Sequence, residues 1–324
     1  MTVLVTGGAG YIGSHFVLAL LDRGEVPVVL DDLSTGNRSA VPDGVAFVEG
    51  DVADADLVRS TIERHRVDAV AHFAAKIVVP ESVAAPLVYY RANTCKTRTL
   101  LDSVVGAGVE RFIFSSTAAV YGDVSGEPVG EDAPLAPQSP YGRSKLMSEW
   151  MLRDCGPAYG LRSVILRYFN VAGADPAGRA GQSFAEGTHL IKVALQTALG
   201  RRPHMDIFGT DFPTRDGTGL RDYIHVADLA DAHLRALDHL RGGGESLVLN
   251  CGYGSGVSVL EVVEAVRRAS GADLQARFAP RRPGDPAAVI ANSDRIRERL
   301  GWRPAHDDLD AMIAQALAWE RRLG

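Results

Sequence analysis

The sequence predicts an α/β protein: a doubly wound parallel sheet with a smaller α/β unit attached that binds the substrate. Three observations carry this expectation. Short apolar runs alternate with amphipathic stretches through the first half, a glycine-spaced turn follows the first run, and the alternation breaks after Asn170.

Taken in order, VLVT (3–6), VPVVL (26–30), VAFVEG (45–50), VDAVAHFA (67–74), RFIFSS (111–116) and RSVILRYFN (162–170) read as buried strands, since continuous apolar runs suit a sheet covered on both faces. Helix-like segments near 11–23, 54–65, 84–107 and 141–155 lie between them. After Asn170 comes the Gly- and Pro-rich VAGADPAGRAGQ, then a helix at about 188–199 and the strand-like MDIFG. VADLADAHLRALDHL (226–240) and SLVLNCG (246–252) return to the helix and buried strand of the first unit. From Val257 a helical stretch, the charged FAPRRPGDP and a terminal helix resume the second. The expected division is therefore interleaved: 1–170 with 225–253 for the dinucleotide unit, 171–224 with 254–324 for the substrate unit.

Composition narrows the function. Of 324 residues, 46% are apolar and 23% charged, the balance of a folded globular protein of about two structural units. A net charge of −6, with Arg201–Arg202 and Arg281–Arg282 as pairs rather than an extended basic stripe, argues against a nucleic-acid partner. Cys95, Cys155 and Cys251 are odd in number and far apart, which predicts no disulfide framework and no metal site, and suits a reducing cytoplasm. No signal-like segment and no apolar run of membrane-spanning length is present, so neither export nor a membrane partner is expected.

Within TGGAGYIGS (6–14), Gly7, Gly10 and Gly13 fall at a spacing that permits a tight turn and close backbone approach to a diphosphate, with Tyr11 and Ile12 opening a helix whose N-terminus faces the phosphates. Asp31 closes the next apolar run 24 residues after Gly7, where a carboxylate can bond ribose hydroxyls. Asp32 follows it, and two carboxylates repel a 2′-phosphate, so NAD is preferred over NADP. Asp51 and Val52 form a similar acidic strand end, suited to an adenine contact. Tyr141 and Lys145 lie four apart on a helical segment and so share one face, where an ammonium can draw the phenol toward a usable acid–base. Thr117 ends the fifth strand and offers a hydroxyl to both substrate and tyrosine. His225 is expected to be a structural hydrogen-bonding residue, and Cys251 to be core packing.

TGGAGYIG, the strand-end Asp31, HFAAK, SSTAAVYG, SPYGRSK, LRYFNVAGA, DGTGLRDYIHVADLA and FAPRRPGD, in this order, resemble the extended short-chain dehydrogenase/reductase family in its NAD-dependent epimerase/dehydratase branch. The resemblance runs from residue 3 to at least 302. It implies a Rossmann domain, a tightly held NAD and the catalytic set Thr117, Tyr141 and Lys145. It further implies Phe73, Ala74, Lys76, Asn93 and Tyr168 as NAD contacts, Lys76 also reaching the substrate. Asn170, Leu190, Phe208, Arg221, Arg282 and Asp285 become contacts to a nucleotide sugar. Threonine at 117 replaces the serine of many epimerases of this kind, keeping the hydroxyl and adding a methyl. Thr188–His189 stands where the family pattern has asparagines.

The reaction implied is reversible 4-epimerisation of UDP-glucose and UDP-galactose through a transient 4-keto sugar. Tyr141 moves the 4-hydroxyl proton, Lys145 holds the ribose, and Arg221 and Arg282 grip the diphosphate unless a carboxylate partner occupies them. Val289, intermediate in size, borders the sugar's C2 substituent by the same resemblance, so UDP-N-acetylhexosamines are expected to enter as well. A homodimer is implied through helices at about 84–107 and 141–155. The alternatives are a pentose 4-epimerase, a 4,6-dehydratase, which Ala118 and Ala119 disfavour, and a non-catalytic NAD-sensing scaffold, which Tyr141 and Lys145 disfavour.

Overall fold

The protein is described by a computed structural model over residues 1–124, 127–184, 187–282 and 285–323. Its centre is a seven-stranded sheet of β1 (Thr2–Thr6), β2 (Val26–Asp31), β3 (Ala46–Glu49), β4 (Ala69–His72), β5 (Arg111–Thr117), β6 (Arg162–Tyr168) and β11 (Leu247–Cys251), in the order β11-β6-β5-β4-β1-β2-β3. Every neighbouring pair is parallel.

Side-chain alternation along β1 decides which helices cover which face. Val3 and Val5 point into one layer with Phe16 and Leu20 of α1 (Tyr11–Asp22) and Leu229 and Leu237 of α8 (Val226–Arg241). Leu4 points the other way, toward Val58 and Ile62 of α2 (Ala55–His65), Leu100 and Val104 of α5 (Lys96–Gly106) and Leu152 of α6 (Pro140–Tyr159). Both faces are buried, which is why the strands read as unbroken apolar runs.

One helix differs from expectation. The stretch at 84–107 is not continuous but divides into α3 (Val79–Ala84), α4 (Pro86–Tyr89), a π-helical turn (Tyr90–Cys95) and α5. Pro86 disfavours helix at Ala85, whose ψ of 63° separates α3 from α4. The wide π turn follows directly and carries the buried Asn93.

The rest of the chain forms short sheets and helices beside the C-terminal strand ends. β7 (Asn170–Ala172) pairs with β10 (Tyr223–His225), and β9 (Leu220–Arg221) lies between β12 (Val257–Ser258) and β14 (Ala288–Val289). β8 (Met205–Phe208) pairs with β13 (Ala276–Ala279), with α7 (Leu190–Ala198), α9 (Val259–Ser270), α10 (Asp294–Leu300) and α11 (Leu309–Arg322) completing this part. RSVILRYFN is thus two strands that part at Phe169. Cys251 is fully buried in the core. His225 caps α8, its Nδ1 accepting the Ala227 N–H, while Nε2 lies 2.5 Å from Gln315 Oε1. No helix among the described residues is long and apolar enough to cross a membrane.

Asp222 joins the two regions. Its carboxylate is fully buried and accepts the backbone N–H groups of Tyr253 and Gly254, which follow β11, and of Ala291, which follows β14. Asp222→Ala leaves the buried amides of Tyr253 and Ala291, and the more exposed amide of Gly254, without their acceptor, and a loss of at least about 2 kcal/mol in denaturant-monitored stability is expected.

Candidate active site

The turn after β1 lies at the switch point of the sheet, where β1 is flanked by β2 on one side and β4 on the other. Its glycines are required by contact. A Cβ on Gly7, whose φ is +73°, would meet Ala74 N at 2.5 Å; one on Gly13 would meet Gly7 O at 2.2 Å. The amides of Phe73 and Ala74 both donate to Thr6 O, drawing the end of β4 against the turn. Gly10 precedes α1 without a side-chain cap, and no acidic residue occupies the first turn. The N–H groups of Tyr11, Ile12 and Gly13 therefore have no partner within the helix, which is the donor set an anionic diphosphate needs.

A cleft opens beside this turn, lined on one side by Ala9, Gly10, Tyr11 and Ser14, on a second by Thr35–Arg38 and Ala40, and on a third by Gly181, Ser183 and Phe184. Asp31 ends β2 beside it, its two oxygens accepting the N–H groups of Ala9 and Leu33, and burial raises its pKa. Asp51 pairs with Lys96 Nζ at 2.6 Å. Val52 has its side chain in the core, which leaves only its backbone to meet a ligand. Tyr11 donates to Gly173 O at 2.7 Å. The Tyr168 hydroxyl is buried with no hydrogen-bond partner of good geometry, although Ser115 faces it. These features fit a nicotinamide dinucleotide: an uncapped helix start for the diphosphate, a carboxylate for ribose, and a spare buried donor. Arg38 and the 181–184 segment were not legible as cleft residues in the sequence. The only signal for Arg38 was its place seven residues beyond Asp31; its guanidinium donates to Val41 O and stacks on Phe47.

Thr117, Tyr141 and Lys145 come together at the C-terminal end of β5. Ser139 caps α6 and Pro140 begins it, which sets Tyr141 and Lys145 in the first turns. Tyr141 is hydrogen-bonded to Thr117, which lowers its pKa, but burial outweighs this and the net shift is upward. The lowering expected from the Lys145 ammonium is not what governs the phenol here. Lys145 Nζ instead donates to Ser115 O at 2.8 Å and sits over the Phe114 ring, and burial lowers its pKa to about 7. Asn93, on the π turn, binds Lys76 by both backbone groups and donates to Ser144 Oγ, tying the loop after β4 to α6. The Lys76 ammonium is engaged with Glu81 at 3.0 Å.

The other candidate side chains gather in the second region. Val289 is the register partner of Arg221, and Asn170 that of Tyr223. Leu190 and Asn170 line one small cavity with Gln182 and His189, and Gln182 Nε2 lies 2.9 Å from His189 Nδ1. Arg282 stacks over Phe208 and pairs with Asp285 at 2.9 Å, so it has the carboxylate partner that Arg221 lacks. Arg221 donates only to the carbonyls of Leu220 and Pro286, and among the described residues no carboxylate lies in ion-pair contact with it. Asp222, next in sequence, is committed to three backbone amides. An enclosed guanidinium without a counter-charge is costly, and burial lowers its pKa.

A cleft fit for a dinucleotide at the switch point of a doubly wound sheet, together with a tyrosine and a lysine one helical turn apart at the end of β5, defines the class of dinucleotide-dependent short-chain enzymes. Residues 3–252 match the model of the NAD dependent epimerase/dehydratase family, and the chain belongs to that family. The chain is 61% identical to a UDP-glucose 4-epimerase of Azospirillum brasilense over 99% of this chain and 92% of that one. It superposes with a TM-score of 0.96 on the UDP-glucose 4-epimerase of Brucella ovis in complex with NAD, at 45% identity over 98% of each chain. The same score relates it to a UDP-glucose-4-epimerase from Stenotrophomonas maltophila with bound NAD and formylated UDP-arabinopyranose, at 39% identity over 100% of this chain and 98% of that one.

Gly13→Ala forces the turn apart, because the obstructing atom is a backbone carbonyl. Loss of at least about tenfold in NAD affinity is expected, read by calorimetric titration of the cofactor-free protein.

Proposed function

We propose that the protein interconverts UDP-glucose and UDP-galactose by inverting C4, with NAD kept in the cleft, and that Thr117, Tyr141 and Lys145 carry the chemistry. The observation that carries this reading is the Tyr141 hydroxyl bonded to Thr117 at the mouth of β5 with Lys145 beneath. NAD, when bound, supplies a reversible two-electron acceptor, so that the C4 carbinol passes through a ketone and is restored in either configuration. Tyr141 takes the 4-hydroxyl proton and returns it, and its acidity rests on Thr117 and on positive charge brought close to an otherwise unfavourable site. Thr117 holds the sugar hydroxyl and the phenol together. Lys145 reaches ribose from its anchor on Ser115 O. Arg221 awaits an anion, while Arg282 reaches one only by sharing or leaving Asp285. The turn after Thr117 offers methyl groups at Ala118 and Ala119, which supply no acid for a dehydration.

In the same reading residues 1–170 with 225–253 hold the cofactor and 171–224 with 254–324 the nucleotide sugar, as β11 joining the central sheet supports. The exposed apolar side chains Val83, Leu87, Val88, Met147 and Trp150 on α3, α4 and α6 suit a homodimer contact. Three unpaired cysteines suit a cytoplasmic setting.

Purified protein incubated with UDP-galactose and no added NAD is expected to form UDP-glucose. Tyr141→Phe is expected to lose at least about a hundredfold in kcat while still containing NAD; equal turnover in that variant overturns the acid–base assignment. Val289 lies beside Arg221, and Val289→Tyr is expected to exclude UDP-N-acetylglucosamine while UDP-glucose still reacts, measured by competing the two sugars.

A further inference from the structure

Beneath the tyrosine and lysine lie two charges wholly removed from water. Arg167 of β6 and Glu149 of α6 both have fully buried side chains and form a bidentate pair, Nε to Oε1 at 3.0 Å and NH2 to Oε2 at 2.5 Å. Ser116 Oγ donates to the same Oε1 at 2.5 Å. Arg167 also donates to Tyr121 Oη, which in turn donates to Asn250 Oδ1. A pair so deeply buried is seldom more stabilising than apolar side chains of the same volume, so stability alone does not explain it.

Its position does. Glu149 follows Lys145 by four residues and Tyr141 by eight, so all three share one face of α6. Ser116, which Glu149 grips, lies between Ser115, the acceptor for Lys145, and Thr117, the partner of Tyr141. We infer that Glu149, clamped by Arg167 and Ser116, is a positioning residue: it registers α6 against β5 so that Tyr141 and Lys145 meet their partners, and it supplies the negative charge that keeps Lys145 an ammonium. This role rests on the reaction proposed above.

The charged and titratable surroundings of Lys145 support the second half. His72 of β4 is buried between Thr6 and Thr97 hydroxyls, and its pKa falls to about 3, so it is neutral. Tyr168 of β6 and Tyr121 and Tyr89 beyond it are pushed up by burial, so these phenols are uncharged near neutral pH, while Tyr141 on α6 itself is pushed up by burial against its bond to Thr117. Arg167 is committed to Glu149. Against the burial that pulls Lys145 down, the Glu149 carboxylate is the charge that raises it.

The test uses the NAD-containing enzyme and two variants, Glu149→Gln and Glu149→Gln with Arg167→Gln. The double variant leaves no buried charge unpaired and keeps the test open should the single one not fold. Without the carboxylate Lys145 loses its proton at lower pH. The alkaline limb of kcat for UDP-galactose is therefore expected to move down by about one pH unit in both variants, with KM nearly unchanged. NMR titration of lysine-labelled protein is expected to show the Lys145 ammonium moving the same way. A purely structural pair predicts that the double variant regains the native profile and titration, and that result overturns the inference. The titration needs no turnover, so a native protein inactive on UDP-galactose sinks the proposed reaction while the lysine signal still judges Glu149.

Discussion

The site depends on backbone lying directly against backbone at the turn after β1. Gly7 touches the chain leaving β4, and Gly13 touches Gly7, at separations that no side chain could share. That contact sets where α1 begins, hence where its unsatisfied N–H groups point, and it holds the end of β4 beside the end of β1. The loop that continues from β4 carries Lys76 to Asn93, and Asn93 reaches α6. A single close approach thus governs both the dinucleotide cleft and the placement of the helix that bears Tyr141 and Lys145.

Buried charge is handled in two contrasting ways. Away from the cleft each buried ion is fully partnered: Arg167 with Glu149, Asp222 with three amides, and Lys192 with Glu320, which also holds Arg201. Among the described residues, Lys145 bonds directly to a carbonyl and a ring, with the Glu149 carboxylate one helical turn away, and Arg221 bonds to carbonyls. An uncompensated cation disfavours the empty state and favours an anion or polarised oxygen brought to it. Arg221 is the candidate contact left without an ion pair among the described residues, whereas Lys76, Asp51 and Arg282 each have one.

Much of this was legible in the chain. The parallel sheet follows from continuous apolar runs, and the glycine turn, Asp31, Thr117, Tyr141 and Lys145 follow from spacing. What escaped depends on contacts between distant segments. The π turn at Tyr90–Cys95 is a consequence of packing around Asn93, and the residues there carry no local mark of it. Asp222 adjoins Arg221 in the sequence, yet successive residues on an extended chain point to opposite sides, and its carboxylate accepts from the backbone of Tyr253, Gly254 and Ala291. Arg282 did find Asp285, three residues on. The upward shift of the Tyr141 pKa could not be read from a tyrosine and lysine four apart, because burial is a property of the assembled cleft.

The last strand of the central sheet arrives from far downstream. β6 pairs with β11 only after about eighty intervening residues, which form β7 to β10, α7 and α8. During synthesis, a chain that has emerged as far as residue 245 presents the open flank of β6, Val164 to Tyr168, with its hydrogen-bonding groups unclaimed. Completion of the central sheet therefore awaits the elements made after β6, and the growing polypeptide has no finished seven-stranded sheet to set aside while they are made.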